Sequence, residues 1–385
     1  MTVEETLSKL VSIDSVSSNS NIEIIDLIAS RCESSGMKIK LFPYTDARGT
    51  EKLNMVAFAG PSSEQFDAAA IEAELALVGH TDTVPYSPSW TSALSLTERE
   101  GRLYARGACD TKGFIAAALT AFEEIGAARL RRTLALVLTA DEEVGCFGAK
   151  RLVEARALSV RYSIVGEPTS LRPMRAGKGY CLAEITVRGR EGHSAYPSLG
   201  ASAIFRAARL VRRLEAIAEE LKTKDRQEAF EPPYTTLNVG LINGGTAKNI
   251  IAGQCSLTLE WRPVPGQRAE YVLDLLRAAI EEERSRDADF DCQLEVIRTD
   301  EGMETSADSR LVRLLEEVTG QESGTIAFGT EAPQMIELGA EAVVLGPGNI
   351  QVAHRTDEFV PIDELHQCVR ILKNAMEHFC VEIDA

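Results

Sequence analysis

Short apolar runs alternate with amphipathic stretches along much of the chain. The runs are rich in branched residues and lie at Leu75–Val78, Leu134–Leu138, Tyr162–Val165 and Ala342–Leu345. Runs of this length and composition are typical of strands that are buried on both faces of a sheet. The stretches Gly113–Ile125 and Gly148–Ala155 instead have the spacing of helices. This alternation predicts an α/β domain with a mostly parallel sheet.

The middle of the chain has a different order of elements: strand, helix, strand, strand, helix, strand. These elements are predicted at Cys181–Arg188, Ser202–Leu221, Thr235–Ile242, Ile250–Arg262, Glu270–Ser285 and Phe290–Arg298. The order is that of a ferredoxin-like α+β domain. The first helix is expected to bury one face, formed by Ile204, Ala208, Val211, Leu214, Ile217 and Leu221. Its arginines at 206, 209, 212 and 213 are expected on the solvated face.

After Asp300 the α/β pattern returns. Helices are predicted at Ser309–Thr319, Pro333–Leu338 and Asp363–Cys380, around the strand at Ala342–Leu345. We therefore predict a discontinuous catalytic domain of residues 1–176 and 300–385, with residues 177–299 inserted into it. Only such an arrangement brings His354, in the loop after the strand at Ala342–Leu345, to the same edge of the sheet as the loops of the first segment.

Acidic residues and histidines follow the predicted strands one after another. They are His80, Asp82, Asp110, Glu142, Glu143, Glu167 and His354. Ligands of open α/β sheets bind beyond the carboxyl ends of the strands, so these side chains are expected to meet there. Carboxylates and imidazoles without thiolates suit Zn²⁺, Co²⁺ or Mn²⁺. The pattern predicts a hydrolytic site for two divalent ions, with Asp110 between them.

Two short motifs suggest how roles are divided within this site. Asp82, two residues after His80, is expected to accept the ring N–H that the metal does not use. Glu142 and Glu143 are expected to point to opposite sides of an extended segment, so that one binds metal while the other takes a proton from water. Either motif alone occurs in many solvated loops, and only their recurrence at successive strand ends favours a catalytic site.

Composition restricts the class of partner and the compartment. The net charge of −17 argues against non-specific binding to nucleic acid or to an anionic membrane, because both need a basic surface. No apolar run approaches the roughly 18 residues of a membrane span. The first residues lack a basic leader, so no signal peptide is expected. The eight cysteines are scattered without a Cys-x-x-Cys pair, which predicts reduced thiols in a cytoplasmic protein.

Four segments resemble the dinuclear zinc amidohydrolases and peptidases of the M20 family. They are Leu77–Pro85, Ala140–Glu143, Gly166–Thr169 and Gly192–Ser194, and the similarity extends nearly from end to end. It implies a zinc exopeptidase-like catalytic domain with an inserted lid or dimerisation domain, and a homodimer. One departure is Asp110-Thr111-Lys112-Gly113, where the family commonly has Met in place of Thr111. The family often has a cis peptide bond at this step.

The resemblance also assigns roles to the predicted site residues. His80 and Glu167 would hold one ion, and Glu143 and His354 the other, with Asp110 bridging. Glu142 would be the general base. His193 would come from the inserted domain, in the family often from the other subunit, to help stabilise the oxyanion.

The substrate implied by the family is a small acylated amino acid. Arg262 is the candidate clamp for its carboxylate, since a guanidinium group matches a carboxylate in two parallel bonds. Asn249, Gly329 and Thr330 are further candidate contacts. Glu331 has two readings: a partner for a cationic substrate side chain, or an ordinary acid at a helix N-terminus.

Alternative functions remain open at this point. The nearest are other M20 activities: a succinyl-diaminopimelate desuccinylase, an acetylcitrulline deacetylase, an aminoacylase or a carboxypeptidase. A different class is a non-catalytic, metal-stabilised binding protein on the same scaffold. Such a protein would be expected to lack the general base, whereas Glu142 is present.

Overall fold

The computed structural model describes residues 1–61, 70–287 and 289–382. Residues 62–69 and 383–385 of the predicted catalytic domain, and residue 288 of the predicted insert, lie outside the described residues. The helices are α1 (Val3–Val11), α2 (Ile22–Ser34), α3 (Lys112–Ile125), α4 (Phe147–Glu154), α5 (Ala203–Leu221), α6 (Glu270–Arg286), α7 (Arg310–Thr319), α8 (Ala332–Glu337) and α9 (Ile362–Met376).

The strands range from two to ten residues in length. They are β1 (Lys38–Thr45), β2 (Glu51–Ala59), β3 (Ile71–His80), β4 (Thr97–Arg99), β5 (Arg102–Tyr104), β6 (Leu134–Thr139), β7 (Leu158–Val165), β8 (Met174–Gly177), β9 (Tyr180–Arg188), β10 (Gly192–His193), β11 (Thr236–Gly244), β12 (Ile250–Ile251), β13 (Gln254–Arg262), β14 (Asp291–Asp300), β15 (Met303–Glu304), β16 (Gly324–Ile326), β17 (Glu341–Val344) and β18 (Phe359–Pro361).

The chain divides into two compact units. The first, which we call the catalytic unit, comprises Met1–Arg175, Thr305–Gly324 and Thr330–Ala385. The second, the inserted unit, comprises Ala176–Glu304 and Thr325–Gly329. The short segment Thr325–Gly329 thus groups with the insert, although it lies far along the chain from the rest of it.

The catalytic unit is built on a mixed sheet with the strand order β1-β2-β6-β3-β7-β17. The four strands β6, β3, β7 and β17 are parallel, whereas β1 and β2 form an antiparallel hairpin at one side. Every residue of β6 is buried, as expected for a strand covered on both faces. The prediction of a mostly parallel sheet is therefore confirmed.

Helix α3 lies at the centre of the apolar core of the catalytic unit. Its residues Phe114 to Ala118 are all buried, and it packs on α1 and α9. The alanines in this run are small enough for the helix to lie close to its neighbours. Because α3 starts directly after Asp110 and Thr111, this packing fixes the backbone that carries a predicted metal ligand.

The inserted unit has a separate antiparallel sheet with the order β11-β13-β9-β14. Alternate residues of β13 are buried, and they pack with α5 and α6 in a second apolar core around Trp261. This alternation is typical of a sheet with one covered face. The predicted ferredoxin-like α+β unit is confirmed.

Two predictions for the inserted unit are wrong in detail. The expected single strand Ile250–Arg262 is two strands, because β12 pairs with β10 while β13 joins the main sheet. On α5, Ile204 and Ala208 are exposed, whereas Arg206 is buried. Arg206 is buried because its Nε and NH2 groups both donate to the Asp287 carboxylate, at 2.9 Å each.

All eight cysteines lie in the described part of the chain. Each is buried and lies outside any disulfide of the described residues. None of the helices within the described residues combines the length and apolarity that a membrane crossing requires.

Candidate metal centre

The predicted ligands lie at the carboxyl ends of the parallel strands of the catalytic unit. His80 is the last residue of β3, and Glu142 and Glu143 occupy the turn that follows β6. Glu167 lies two residues after β7, and His354 lies in the loop between β17 and β18. Parallel strands bring these ends to the same edge of the sheet, which is why residues far apart in sequence meet here.

Asp110 lies at the centre of the cluster. Its Oδ1 is 3.1 Å from Nε2 of His80, and its Oδ2 is 3.1 Å from Nε2 of His354. The same His354 nitrogen is 3.1 Å from Oε2 of Glu143. The two oxygens of one carboxylate therefore face two different histidines, as a bridging ligand requires.

Two overlapping groups of side chains could each hold a metal ion. One is His80, Asp110 and Glu167, and the other is Asp110, Glu143 and His354. In each group the possible ligand atoms all lie within 4.8 Å of one another. The two groups share only Asp110, and together they contain the five ligands predicted from the sequence.

The electrostatics of the cluster fit bound cations. Burial raises the pKa of Glu142 to about 8, against the pull of His80 and with the added effect of Glu143. Burial also raises the pKa of Glu167 well above its usual range, and the charge of Asp110 adds to this. For Asp110 itself burial acts in the same direction, but hydrogen bonds with His354 and His80 outweigh it and lower the pKa.

Carboxylates thus outnumber positive groups in a buried site. Uncompensated buried charge is costly, and divalent ions are the usual compensation in a cluster of oxygen and nitrogen ligands. One oxygen of Glu143, Oε1, is buried without a hydrogen-bond partner in the described structure. The residues present therefore fit a pair of divalent ions.

Close packing fixes the backbone next to Asp110 and Glu167. The Asp110–Thr111 peptide bond is cis, a point that the sequence left open because Thr111 replaces the residue common in the family. The Thr111 hydroxyl donates to the carbonyl oxygen of Gly166 at 2.9 Å. A Cβ atom on Gly166 would lie only 2.2 Å from the Phe114 ring, so only glycine allows this approach of β7 to α3.

Asp82 contacts more groups than predicted. The nearer acceptor for the His80 ring is the Asp82 carbonyl oxygen, 3.0 Å from Nδ1, whereas the Asp82 carboxylate is 3.6 Å away. The carboxylate instead accepts the backbone N–H groups of Glu142 (3.1 Å) and Glu143 (3.3 Å). It also accepts from the Ser17 hydroxyl at 2.7 Å. Asp82 thus holds both the His80 imidazole and the turn that contains Glu142 and Glu143, which we call the glutamate turn.

The segment with Glu142 and Glu143 is a turn, so the prediction of an extended segment is wrong. Its backbone closes on itself, since the N–H groups of Gly145 and Cys146 both donate to the Glu142 carbonyl. The two side chains nevertheless have different neighbours. Glu143 faces His354, whereas Glu142 Oε1 accepts from the Cys146 thiol at 3.4 Å.

Several supporting residues escaped the sequence reasoning. Lys52 is buried, lies 2.8 Å from Asp141 and so reaches the start of the glutamate turn. Tyr44 donates to the other oxygen of Asp141 at 2.8 Å. Glu358 accepts the backbone N–H of Asp110 at 3.1 Å. For Glu358 the only sequence signal was its position four residues after His354.

The predicted substrate contacts are distributed over both units. In the catalytic unit, Thr330 and Glu331 are buried. Glu331 lies at the N-terminus of α8 but makes no capping hydrogen bond, and its Oε1 is without a partner in the described structure. Burial raises the pKa of Glu331 to about 7.

In the inserted unit, pairing of β10 with β12 brings together two of the predicted residues. His193 pairs with Ile250, and the neighbouring N–H of Ser194 donates to the Asn249 carbonyl at 3.1 Å. His193 and Asn249 are both exposed. Arg262 ends β13, where its guanidinium lies over the Tyr180 ring at 4.7 Å. Gly329 lies close by, because a Cβ atom there would be 3.6 Å from the Cβ of Tyr180.

Comparison with known proteins agrees with this geometry. Residues 76–378 match the model of Peptidase family M20/M25/M40. The chain belongs to this family. Acetylornithine deacetylase of Myxococcus xanthus is 53% identical over 375 residues, which cover 97% of each chain. Acetylornithine deacetylase of Proteus mirabilis (strain HI4320) is 35% identical, over 96% of this chain and 92% of that protein.

The fold is also that of a solved M20 structure. The metallo-carboxypeptidase Sso-CP2 from Sulfolobus solfataricus superposes with a TM-score of 0.77 at 18% identity, over 98% of this chain and 99% of that one. Membership confirms the predicted family and an enzyme that hydrolyses amide bonds, and it argues against the non-catalytic alternative. Within the family, four segments predict a particular resemblance to acetylornithine deacetylase: Thr236–Gly240, Trp261–Pro263, Gly329–Pro333 and Val344–Gly348. The relatives confirm this resemblance.

Proposed function

We propose that this M20 enzyme removes the acetyl group from N²-acetyl-L-ornithine, giving L-ornithine and acetate as a step of arginine synthesis in the cytoplasm. The observation that carries the proposal is Asp110, one carboxylate shared by two groups of ligands, with Glu142 in the turn beside them. The similarity to two acetylornithine deacetylases supports the choice of substrate. The eight buried cysteines, none of which is in a disulfide of the described residues, support a reducing compartment.

The proposed cofactor is a pair of divalent ions, Zn²⁺ by preference and Co²⁺ or Mn²⁺ as alternatives. His80 and Glu167 would hold one ion, and Glu143 and His354 the other, with Asp110 shared. When bound, such a pair polarises a carbonyl group and makes water a stronger acid. The absence of thiolates from the ligand set favours a hydrolytic centre.

The proton transfers belong to Glu142. Its carboxylate would take a proton from the attacking water as the water oxygen bonds to the acetyl carbon. The carbon–nitrogen bond then breaks, and Glu142 returns the proton to the leaving amine, so that one carboxylate acts as base and then as acid. Asp82 keeps Glu142 in place through the backbone, and the Cys146 thiol orients one of its oxygens.

His193 would donate a hydrogen bond to the oxyanion of the tetrahedral intermediate. Its Nδ1 already accepts the backbone N–H of Ala195 at 3.1 Å. The neutral ring must therefore carry its proton on Nε2, which makes this nitrogen a donor. We propose, following the family, that this histidine acts from the partner subunit of a homodimer.

The substrate carboxylate is assigned to Arg262. Its Nε pairs with Glu260 at 2.7 Å and its NH1 donates to the Ala327 carbonyl at 2.8 Å. These bonds fix the plane of the guanidinium group and leave its remaining N–H groups for a ligand. Asn249, Gly329 and Thr330 would complete the contacts to the substrate, and Glu331 would bind the δ-ammonium group.

The proposed homodimer is supported by an apolar patch on the inserted unit. We define this patch as Ile204 and Phe205 of α5 with Ile242 of β11, all three exposed. Ile204 packs over the turn at Gly244 and Gly245, which joins the two elements into one surface. Because β11 is an edge strand of its sheet, this surface is suited to pairing with a second copy.

A substrate panel with matched variants tests the proposed activity. Purified enzyme should contain two divalent ions by elemental analysis and prefer acetylornithine over acetylcitrulline, acetylmethionine and succinyl-diaminopimelate. Glu142→Gln should lower kcat by roughly 10²–10⁴-fold, since it removes the base. Its metal content should not change, because Glu142 is not a ligand.

Exposed Glu317→Gln is the matched control and should behave like wild type. A preference for another acyl amino acid would overturn the substrate assignment. Full activity of Glu142→Gln would overturn the mechanism.

A further inference from the structure

A buried ion pair lies directly behind the shared metal ligand. Glu358 and Arg106 are among the least exposed charged residues of the catalytic unit, at 0% and 3%. NH1 of Arg106 donates to Oε2 of Glu358. Neither residue belongs to the two groups that could hold a metal ion. Their role must therefore lie in what else they contact.

The second oxygen of Glu358 holds the backbone that leads to Asp110. Oε1 accepts the N–H groups of Cys109 at 2.9 Å and of Asp110 at 3.1 Å. A carboxylate oxygen makes stronger hydrogen bonds to N–H groups than a neutral acceptor does. Its charge therefore fixes two successive peptide units just before the side chain that faces both histidines.

Glu358 also lies on the segment that carries His354. Only three residues separate them, and the backbone at His354 and Asp357 is left-handed, with φ of 60° and 61°. Strand β18 begins immediately afterwards and pairs with β5, with Phe359 opposite Tyr104. The Ala105 N–H donates to the Glu358 carbonyl at 3.2 Å, which fixes Glu358 beside the segment Ala105–Asp110.

Arg106 anchors the pair on its other side. NH2 donates to the Pro85 carbonyl at 3.3 Å, and the guanidinium lies over the Trp90 ring at 5.4 Å. Without Arg106, the Glu358 carboxylate would be a buried charge without a cationic partner, which is strongly unfavourable. Without Glu358, the Arg106 guanidinium would likewise be a buried charge without a partner of opposite charge.

We propose that the Glu358–Arg106 pair is a positioning device that holds Asp110 and His354 at the spacing the metal ions need. Neither side chain contacts an atom that would bind metal. The pair acts through the backbone of Asp110 and through the loop that carries His354. The inference rests on the proposed metal centre. Residues that orient metal ligands in this way typically contribute about 10- to 100-fold to metal affinity.

Metal retention tests the proposal separately from activity. Wild-type enzyme loaded with Zn²⁺ is titrated with a chelator, and the metal that remains on the protein is measured by elemental analysis. Glu358→Gln should retain metal about 10- to 100-fold more weakly. Glutamine has the same shape, but its NH2 group must face either Arg106 or the N–H groups of Cys109 and Asp110, so one of these two contacts is lost. The absorption spectrum of the Co²⁺-loaded variant should also change, because Asp110 is no longer held in place.

Asp357→Asn is the matched control. Asp357 lies next to Glu358 on the same loop and is exposed, and its ion pair with Arg99, at 3.4 Å, is weak. Its replacement by Asn changes the charge by the same amount as Glu358→Gln. Its metal retention and Co²⁺ spectrum should match wild type. Asparagine also tolerates the left-handed backbone at this position.

A milder variant covers the possibility that Glu358→Gln does not fold. Arg106→Lys keeps the positive charge but loses the fork that reaches Pro85, and it should retain metal more weakly than wild type. Equal retention by wild type and a folded variant of either residue would overturn the inference. Wild-type enzyme that holds no metal would instead overturn the proposed function on which it rests.

Discussion

In the candidate metal centre, Glu142 and His80 are both held in place by contacts with Asp82. The Asp82 carboxylate joins the backbone of Glu142 to the Ser17 hydroxyl, and the Asp82 carbonyl orients the His80 ring. Such contacts are worth little individually in water. In a buried site they determine where a carboxylate lies, because an unpaired polar group there is costly.

Glu331 provides the prediction at this scale. It is 1% exposed and makes no capping hydrogen bond, but it lies at the N-terminus of α8, where an acid also interacts with the helix dipole. Its unpartnered Oε1 is suited to a cationic group of the substrate. Glu331→Gln should lower kcat/KM for acetylornithine by roughly 10- to 100-fold, the value of a hydrogen bond to a charged group.

Turnover of the uncharged substrate acetylmethionine should change much less. Steady-state kinetics with both substrates measure the difference. Glu337→Gln, exposed at the far end of the same helix, is the control. An equal loss for both substrates would show that Glu331 does not read the side-chain charge.

At the scale of elements, the glutamate turn depends on a strand that carries no ligand. Asp141 begins the turn in a left-handed conformation, with φ of 58°. Lys52 of β2 lies 2.8 Å from its carboxylate and also donates to the carbonyls of Ser17 and Asn19. The lysine thereby ties β2, the loop after α1 and the turn after β6 together.

Lys52→Met should destabilise the metal-free protein by about 3–5 kcal/mol, because it leaves the Asp141 carboxylate buried without its cationic partner. Denaturant unfolding measures the loss. Exposed Lys9→Met should have an effect within about 0.5 kcal/mol. The double variant Lys52→Met with Asp141→Asn should lose less than the sum of the two single changes. Strict additivity would mean that the pair is not coupled.

At the scale of the whole molecule, the proposed activity depends on a unit that contains none of the predicted metal ligands. The inserted unit carries His193, Arg262 and the apolar patch on α5 and β11. A protein that exposes such a patch on an edge strand is expected to associate through it. Assembly and catalysis are therefore expected to be linked.

Mixing two inactive variants tests this link. His193→Ala and Glu142→Ala subunits, unfolded and refolded together in equal amounts, should form hybrids with one complete site. If His193 acts on the partner's site, the mixture should recover about a quarter of wild-type activity, since half of the dimers are hybrids with one working site each. Sedimentation must show dimers throughout. Hybrids without activity would contradict action from the partner subunit.

Much of this organisation could be predicted from local patterns. Buried parallel strands such as β6 are continuous apolar runs, and the residue that follows such a run lies at the functional edge of the sheet. This reasoning was sufficient for His80 and Glu167. It was not sufficient for α5, where Arg206 is buried because of Asp287, a partner 81 residues away in the sequence. The spacing of apolar residues predicts which face of a helix is buried, but it does not predict that a charged residue such as Arg206 is buried by an ion pair.

The sequence by itself determined the fold class and the polar residues that follow the strands, because these depend on residue type and spacing, and the resemblance to the M20 family singled out five of them as candidate ligands. Only the tertiary structure decided how these ligands are held. The Asp82 carboxylate reaches the glutamate turn, Lys52 reaches Asp141, and Glu358 reaches the backbone of Asp110. Each of these contacts joins residues at least 60 positions apart. Their geometry follows from the packing of the whole catalytic unit, which no local pattern encodes.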